Sequence, residues 1–247
     1  MEGDADIARV GGLIADPGRA RMLLALGDGR ALPASVLAAE ASVAPSTASA
    51  HLSKLVDGGL LVARRSGRHR YFALASPEVG ALIERLAELA PAAPVRSLRQ
   101  GTQANAVRTA RTCYDHLAGR LGAALMQALL ARGLLTGGDG RFDPAAGDRL
   151  SAYGAGHDYR LTARGADELE AFGIDLVALR ARRRPLIRYC VDWSEQCHHL
   201  SGALGAALAA ELFARGWISR ARRGRAVHLS QDGRAGLAAT FGVALPD

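Results

Sequence analysis

The sequence predicts a mainly α-helical protein with small β-hairpins, an α+β class, arranged as three consecutive units of one layout. Three observations carry this. Residues 44–74 read as helix, glycine, strand, basic turn and strand. Two later stretches repeat each other. "HLAGRLGAALMQALLARGLL" (116–135) matches "HLSGALGAALAAELFARGWI" (199–218), and "LTARGADELEAFGI" (161–174) matches "LSQDGRAGLAATFGV" (229–243). Finally, a glycine stop recurs at Gly59, Gly133 and Gly216, each followed by an apolar strand start at Leu60, Leu134 or Trp217.

The first unit spans 1–92. "DPGRARMLLAL" (16–26) supplies its opening helix. Two helices follow, about Pro33–Glu40 and Ser46–Asp57, around a tight turn near Ser42–Ala44. Ala48, Leu52, Leu55 and Val56 share one face of the second helix and predict its core side. The other face offers Ser46, Thr47, Ala50, His51 and Lys54, small or hydrogen-bonding groups with no bulky apolar residue. That chemistry suits a helix in a DNA major groove, where hydroxyls, imidazole and ammonium meet base edges and phosphates. The hairpin beyond carries Arg64, Arg65, Arg68, His69 and Arg70 around Gly67, and a protruding basic turn suits a phosphate backbone.

In each unit the chain returns through a strand ending near Leu74, Leu161 or Leu229. A helix follows, with leucines at Leu82, Leu169 and Leu237. Helix, glycine stop, hairpin, helix is the layout of a winged helix. The later units, 104–178 and 179–247, are therefore expected to be degenerate winged-helix repeats. "APAAPVRSLRQGTQ" (90–103) is the expected linker before them. "RARRRP" (180–185) is expected to join the two repeats, with Pro185 near the first turn of the next helix. "GGDGRFDPAAGD" (137–148), absent from the second copy, reads as a loop.

The chain has 247 residues and a net charge of +7, with Lys54 its only lysine. That balance fits a polyanionic partner. No apolar run approaches a membrane span, and "MEGDADIARV" holds no signal core, so a cytoplasmic protein is expected. Three cysteines make no disulfide framework.

Residues 8–90 resemble the ArsR/SmtB family of bacterial winged-helix repressors. The opening helix, "VAPSTASAHLSKLVDGGLL" and "RRSGRHRYFAL" carry the resemblance. It implies a homodimer on a palindromic double-stranded operator, released by an inducer. It also maps Ser46, Thr47, Ser49, His51 and Lys54 onto groove-facing positions, with Ala50 where many relatives hold a long polar side chain. Metal-sensing members use a cysteine pair before the turn, or Asp, His and Glu on the last helix. Here "LPASVLAAEA" and "SPEVGALIERLAEL" hold neither cysteine nor histidine, so sensing must lie elsewhere.

All three cysteines lie beyond the linker. "TCYDHLAG" places Cys113 and His116 three apart, read as neighbours on one face of an entering helix. "RYCVDWSEQCHHLSG" holds Cys190, Cys197, His198 and His199, with "CYDH" and "CVDW" as equivalents and "SEQCHH" as an insertion. If the repeats pack about a pseudo-twofold, Cys113 faces Cys190. Two thiolates with His116, and His198 or His199, would then suit a thiophilic metal ion, or the thiols a redox switch. A continuous helix would keep Cys190 and Cys197 too far apart to share an ion. Buried, structural cysteines are the plain alternative.

An organic effector is a further option, with Tyr114, Tyr189, Trp193 and Trp217 available to line a pocket between Ala/Gly-rich helices. The third hairpin, with Arg220, Arg222, Arg223 and Arg225, imitates the first. Its preceding helix lacks groups for base readout. No nucleotide-binding glycine loop, nucleophile elbow or zinc-protease helix occurs, so an enzyme is not expected. The reading is a DNA-binding regulator, a repressor whose operator binding responds to an effector sensed in the repeats. The alternative is an architectural winged-helix protein without one.

Overall fold

The computed structural model describes residues 4–27, 29–66, 69–90, 105–150, 153–221 and 224–245. They form two compact units, Met1–Ile83 with Arg222–Arg225, and Glu84–Ala221 with Ala226–Asp247. Of the expected linker, all but Ala90 lies outside the described residues.

In the first unit, α1 (Ile7–Ile14) and α2 (Pro17–Ala25) begin at aspartates. Asp6 accepts from the Arg9 amide and Asp16 from that of Arg19, satisfying amides that a helix start leaves open. β1 (Leu32–Pro33) leads into α3 (Ala34–Ala41). The turn pivots on Ser42 in a left-handed conformation (φ 57°), and α4 (Pro45–Asp57) follows with Pro45 in its first turn. Gly59, at φ 74°, ends the helix and lets the chain enter β2 (Leu61–Ser66). β3 (His69–Leu74) lies between β1 and β2, antiparallel to both, and α5 (Pro77–Leu89) follows. Met22, Leu23, Leu26, Leu37, Leu52, Leu55, Leu61 and Phe72 are buried as one core. Removing each such side chain from water is worth about 1.5–3 kcal/mol, which fixes α4 against α2 and α3.

The second unit holds both repeats. Each keeps the expected helix, glycine stop, hairpin and helix. In the first copy these are α6 (Gly119–Ala131), Gly133, β6 (Leu135–Thr136) with β7 (Arg160–Leu161), and α7 (Ala163–Ala171). In the second they are α9 (Gly202–Ala214), Gly216, β10 (Ile218–Arg220) with β11 (Val227–Leu229), and α10 (Gln231–Phe241). Thr162 and Ser230 cap the closing helices alike, accepting from Gly165 and Gly233. The loop at 137–148 holds only a 3-10 turn, Pro144–Ala146, and an isolated bridge at Arg141.

What precedes each repeat helix differs from expectation. The cysteine-bearing segments are hairpins and not helices: β4 (Arg111–Cys113) pairs with β5 (His116–Ala118), and β8 (Arg188–Val191) pairs with β9 (His198–Ser201). The segment at 180–185 runs from α8 (Leu176–Arg180) into β8, so Pro185 precedes a strand and not a helix. Its carbonyl accepts from the Ala203 amide. The hairpins and helices cross: α6 packs on β9, and α9 on β5. One core therefore serves both copies, running from Leu121, Met126 and Leu169 to Leu204, Leu212 and Leu237.

Candidate functional site

Two places hold the side chains that the sequence singles out. On α4, Ser46, Thr47, Ser49, Ala50 and Lys54 are exposed above the buried Ala48, Leu52 and Leu55. His51 is placed differently. Its side chain is only 14% exposed, with Nε2 3.5 Å from Asp16 Oδ1, so it ties α4 to the start of α2.

Beside this face, Arg64, Arg65 and Arg70 stand exposed on β2 and β3. Arg65 lies directly opposite Arg70 across the strands. Like charges so paired repel, and an anionic partner turns that cost into attraction. The Arg70 guanidinium sits 5.2 Å from the Phe72 ring, which steadies it. Arg68 and Gly67 lie outside the described residues, as does the side chain of His69. In the third hairpin Arg220 rests 4.4 Å from the Phe213 ring and Arg225 is buried. Arg222 and Arg223 lie outside the described residues.

The second place is where the two entering hairpins meet. Cys113 is paired across β4–β5 with His116, and Cys190 across β8–β9 with His199. Cross-strand partners share a face, so each hairpin presents one thiol and one imidazole together. Through the crossed packing, ligand atoms of all four lie within 4.8 Å of one another. The two imidazoles stack, centroids 5.1 Å apart.

Carboxylates back both histidines. Asp115 Oδ1 lies 3.2 Å from His116 Nδ1, and Asp192 Oδ2 lies 3.7 Å from His199 Nδ1. Arginines hold these carboxylates in turn. Arg184 donates to Asp115, and Arg111 Nη2 stands 2.9 Å from both oxygens of Asp192. The Gly119 amide and the Ser194 hydroxyl also donate to Asp192, at 2.6 and 2.7 Å.

These surroundings set the charges. Burial opposes ionisation of Asp192, but Arg111 and then His199 outweigh it and hold the carboxyl well below its ordinary range. Burial also opposes protonation of His116, yet the Cys113 sulfur and Asp115 raise it to about 9. His199 goes the other way, lowered to about 3 by burial and then by the His116 charge. The hydrogen bond to Cys190, together with burial, pushes the Cys113 thiol up.

The other cysteine and histidine candidates are not in this cluster. Cys197 is half-buried and bridges Arg141. His198 points to the opposite side of β9 from His199, as strand alternation requires. There its Nδ1 lies 2.7 Å from the Tyr159 hydroxyl and its Nε2 2.6 Å from Asp148. Tyr189 donates to the same Asp148 at 2.6 Å, completing a hydrogen-bonded chain that no sequence motif announces.

The aromatic candidates do not line a common pocket. Tyr189 belongs to that chain, Trp193 stacks at 4.8 Å on Arg111, and Trp217 packs 5.5 Å from Phe172. Tyr114 occupies the tight turn between β4 and β5, at φ 59°. Between the small-residue faces of α6 and α9, a space lined by Gly122, Leu125, Gly205 and Leu208 measures about 10 Å³, hardly room for one water. The glycines there serve close packing.

Asp115, Arg111 and Arg184 stand beside the cluster as its supports, a role that sequence reasoning did not give them. The signal was present in part, an aspartate two residues after the cysteine in both copies.

A family profile described as a helix-turn-helix domain matches residues 14–64. Over 229 residues the chain is 38% identical to YdfF of Bacillus subtilis (strain 168), described as an uncharacterized HTH-type transcriptional regulator. That match covers 93% of this chain and 94% of YdfF. It is also 38% identical to the HTH-type transcriptional regulator CmtR of Mycobacterium tuberculosis (strain H37Rv), over 35% of this chain and 72% of CmtR. A solution structure of CmtR, titled a cadmium metal-sensor, aligns at 37% identity and a TM-score of 0.31, covering 37% of this chain and 94% of that one. Among the described residues no helix is long and apolar enough to cross a membrane.

Proposed function

Because the chain belongs to the winged helix-turn-helix transcriptional regulators of the ArsR/SmtB type, DNA-binding proteins and not enzymes, we propose that it is a cytoplasmic repressor that binds its operator as a homodimer. The observation that carries this reading is the exposed hydroxyl-and-lysine face of α4 beside Arg64, Arg65 and Arg70. Thr47, Ser46 and Ser49 read base edges in the major groove, while Lys54 and the hairpin arginines, with Arg68 and His69 beside them, hold phosphates. His51 positions α4 through Asp16. The repeats 104–178 and 179–247 act together as the sensing part and take a small effector.

The test is a gel shift with the DNA upstream of the protein's own gene, against random duplex over a range of salt. Preference for the upstream DNA, steeply weakened by salt, supports the reading. Equal affinity for both duplexes overturns operator recognition.

A further inference from the structure

We propose that Cys113, His116, Cys190 and His199 bind one thiophilic metal ion in tetrahedral geometry, two ligands from each repeat. Zn²⁺ is the type ion of this site. The inference deepens the regulatory reading by naming the effector's chemical class, and rests on that reading only for the ion's effect on DNA.

The ligand set is the first support. Two sulfurs and two imidazole nitrogens form a donor set typical of tetrahedral zinc and of softer ions. Zinc–ligand bonds of about 2.0–2.3 Å place donor atoms roughly 3.3–3.8 Å apart. The four donors here already lie within 4.8 Å, so small side-chain adjustments close the shell.

Unmet bonding capacity is the second. His116 and His199 are almost completely buried, at 1% and 2% exposure. His116 Nε2 and both ring nitrogens of His199 lack a hydrogen-bond partner. A buried polar atom without a partner is costly, and coordination through one nitrogen of each imidazole would relieve part of that cost. His198 provides the contrast, since partners already occupy both its nitrogens. It belongs to the other possible cluster, with Asp148 and His157, in which His198 and Asp148 are already bonded to each other and to Tyr159 and Tyr189.

The outer shell is the third. A carboxylate behind each imidazole Nδ1 is the arrangement that orients metal-bound histidines and leaves Nε2 for the ion. Asp115 takes this position at His116, 3.2 Å from Nδ1, and Asp192 lies close to it at His199, 3.7 Å from Nδ1. No cysteine or histidine of the first unit takes part.

The experiment uses the full chain, purified with reductant and freed of metal by chelation. Co²⁺, then Zn²⁺ in competition, serves as the probe. One Co²⁺ per chain is expected, with a sulfur-to-cobalt charge-transfer band and the intense visible bands of tetrahedral coordination. Cys113→Ser and Cys190→Ser should each abolish the charge-transfer intensity contributed by one thiolate and weaken binding at least 100-fold. Cys197→Ser should leave spectrum and affinity unchanged. Asp192→Asn should keep the spectrum and weaken binding about 10- to 100-fold. Circular dichroism on each metal-free variant separates ligand loss from misfolding, and protection of the Cys113 and Cys190 thiols from alkylation by Zn²⁺ in the wild type gives a readout independent of variants. An octahedral spectrum, binding indifferent to Cys113 and Cys190, or a Cys113–Cys190 disulfide that forms under the same reductant would each overturn the site. Gel shifts with and without Zn²⁺ test the effector role separately. Unchanged DNA affinity removes the ion as effector while the spectra stand, and absence of DNA binding refutes the regulatory reading alone.

Discussion

The imidazole of His116 lies stacked on that of His199, 28° from parallel, though 83 residues and two hairpins separate them along the chain. Glycines on the facing helices make room. A Cβ at Gly205 would stand 3.4 Å from His116 Cβ, and one at Gly122 3.5 Å from His199 Cβ. Each would also meet backbone, the Leu200 or Leu117 carbonyl, at 2.5 Å. Gly122→Ala or Gly205→Ala is therefore expected to destabilise the second unit by about 1–3 kcal/mol. Both tryptophans lie in that unit, so fluorescence-monitored urea unfolding reads it; an unmoved midpoint would contradict the close approach.

Arg111 and Asp192 form a buried pair whose removal should be asymmetric. Arg111→Met leaves a carboxylate buried without its main partner and should cost about 3–5 kcal/mol. Arg111→Met with Asp192→Leu removes both charges and should cost clearly less than the two single changes added. A double-mutant cycle by denaturant unfolding measures this, and simple additivity would refute the coupling.

The Tyr159 hydroxyl serves His198 and also accepts from the Gly140 amide at 3.0 Å. Tyr159→Phe strands both polar groups and is expected to cost about 1–3 kcal/mol. Tyr159→Phe proteins melting at the wild-type temperature would show that water or a neighbour replaces the hydroxyl at no cost.

On DNA, Lys54→Ala and Arg65→Ala should weaken binding to operator and random duplex alike. Each phosphate-neutralising cation removed should make the slope of log K against log salt shallower by about 0.9. Thr47→Ala should instead erode preference for the operator, by about 1–3 kcal/mol of discrimination. Equal weakening on the two duplexes would remove Thr47 from base readout.

The thiols should differ in reactivity in the metal-free protein. Cys190 is buried, whereas Cys197 and Cys113 are half-buried. Burial raises the Cys197 thiol, and its hydrogen bond to Cys190 raises that of Cys113 well above the ordinary value. Alkylation followed by mass spectrometry should label Cys197 first, yet more slowly than a free thiol, and Cys190 last. Modification of Cys190 ahead of Cys197 would contradict its burial within β8.

Much of the first unit was legible because local rules and tertiary packing agree there. The α4 pattern of Ala48, Leu52 and Leu55, the stop at Gly59 and the strand end at Leu74 all stand where periodicity and turn chemistry put them. In the repeats, the glycine stops and closing helices were equally readable. The entering segments were not. "RTCYDHLA" and "RYCVDW" are too short to distinguish the periods of helix and strand, and the tight turn at Tyr114 has no glycine or proline to announce it. Reading a helix there linked Cys113 with His116 by the wrong geometry. It also hid the alternation that separates His198 from His199. Sequence correspondence between the copies still pointed to Cys113 and Cys190 as facing partners. Each carboxylate lies in the same copy as its histidine, but the arginine that holds it comes from the other copy, through a contact that no local pattern encodes.

The crossed seating of α6 on β9 and α9 on β5 makes the two repeats a knot of mutual dependence. Neither helix can shift without moving the other copy's strand, and neither strand can shift without moving the other copy's helix. A disturbance where they cross is thus shared between the copies at its origin, with no relay needed from one to the other. The copies are thereby coupled directly, each built partly from the other.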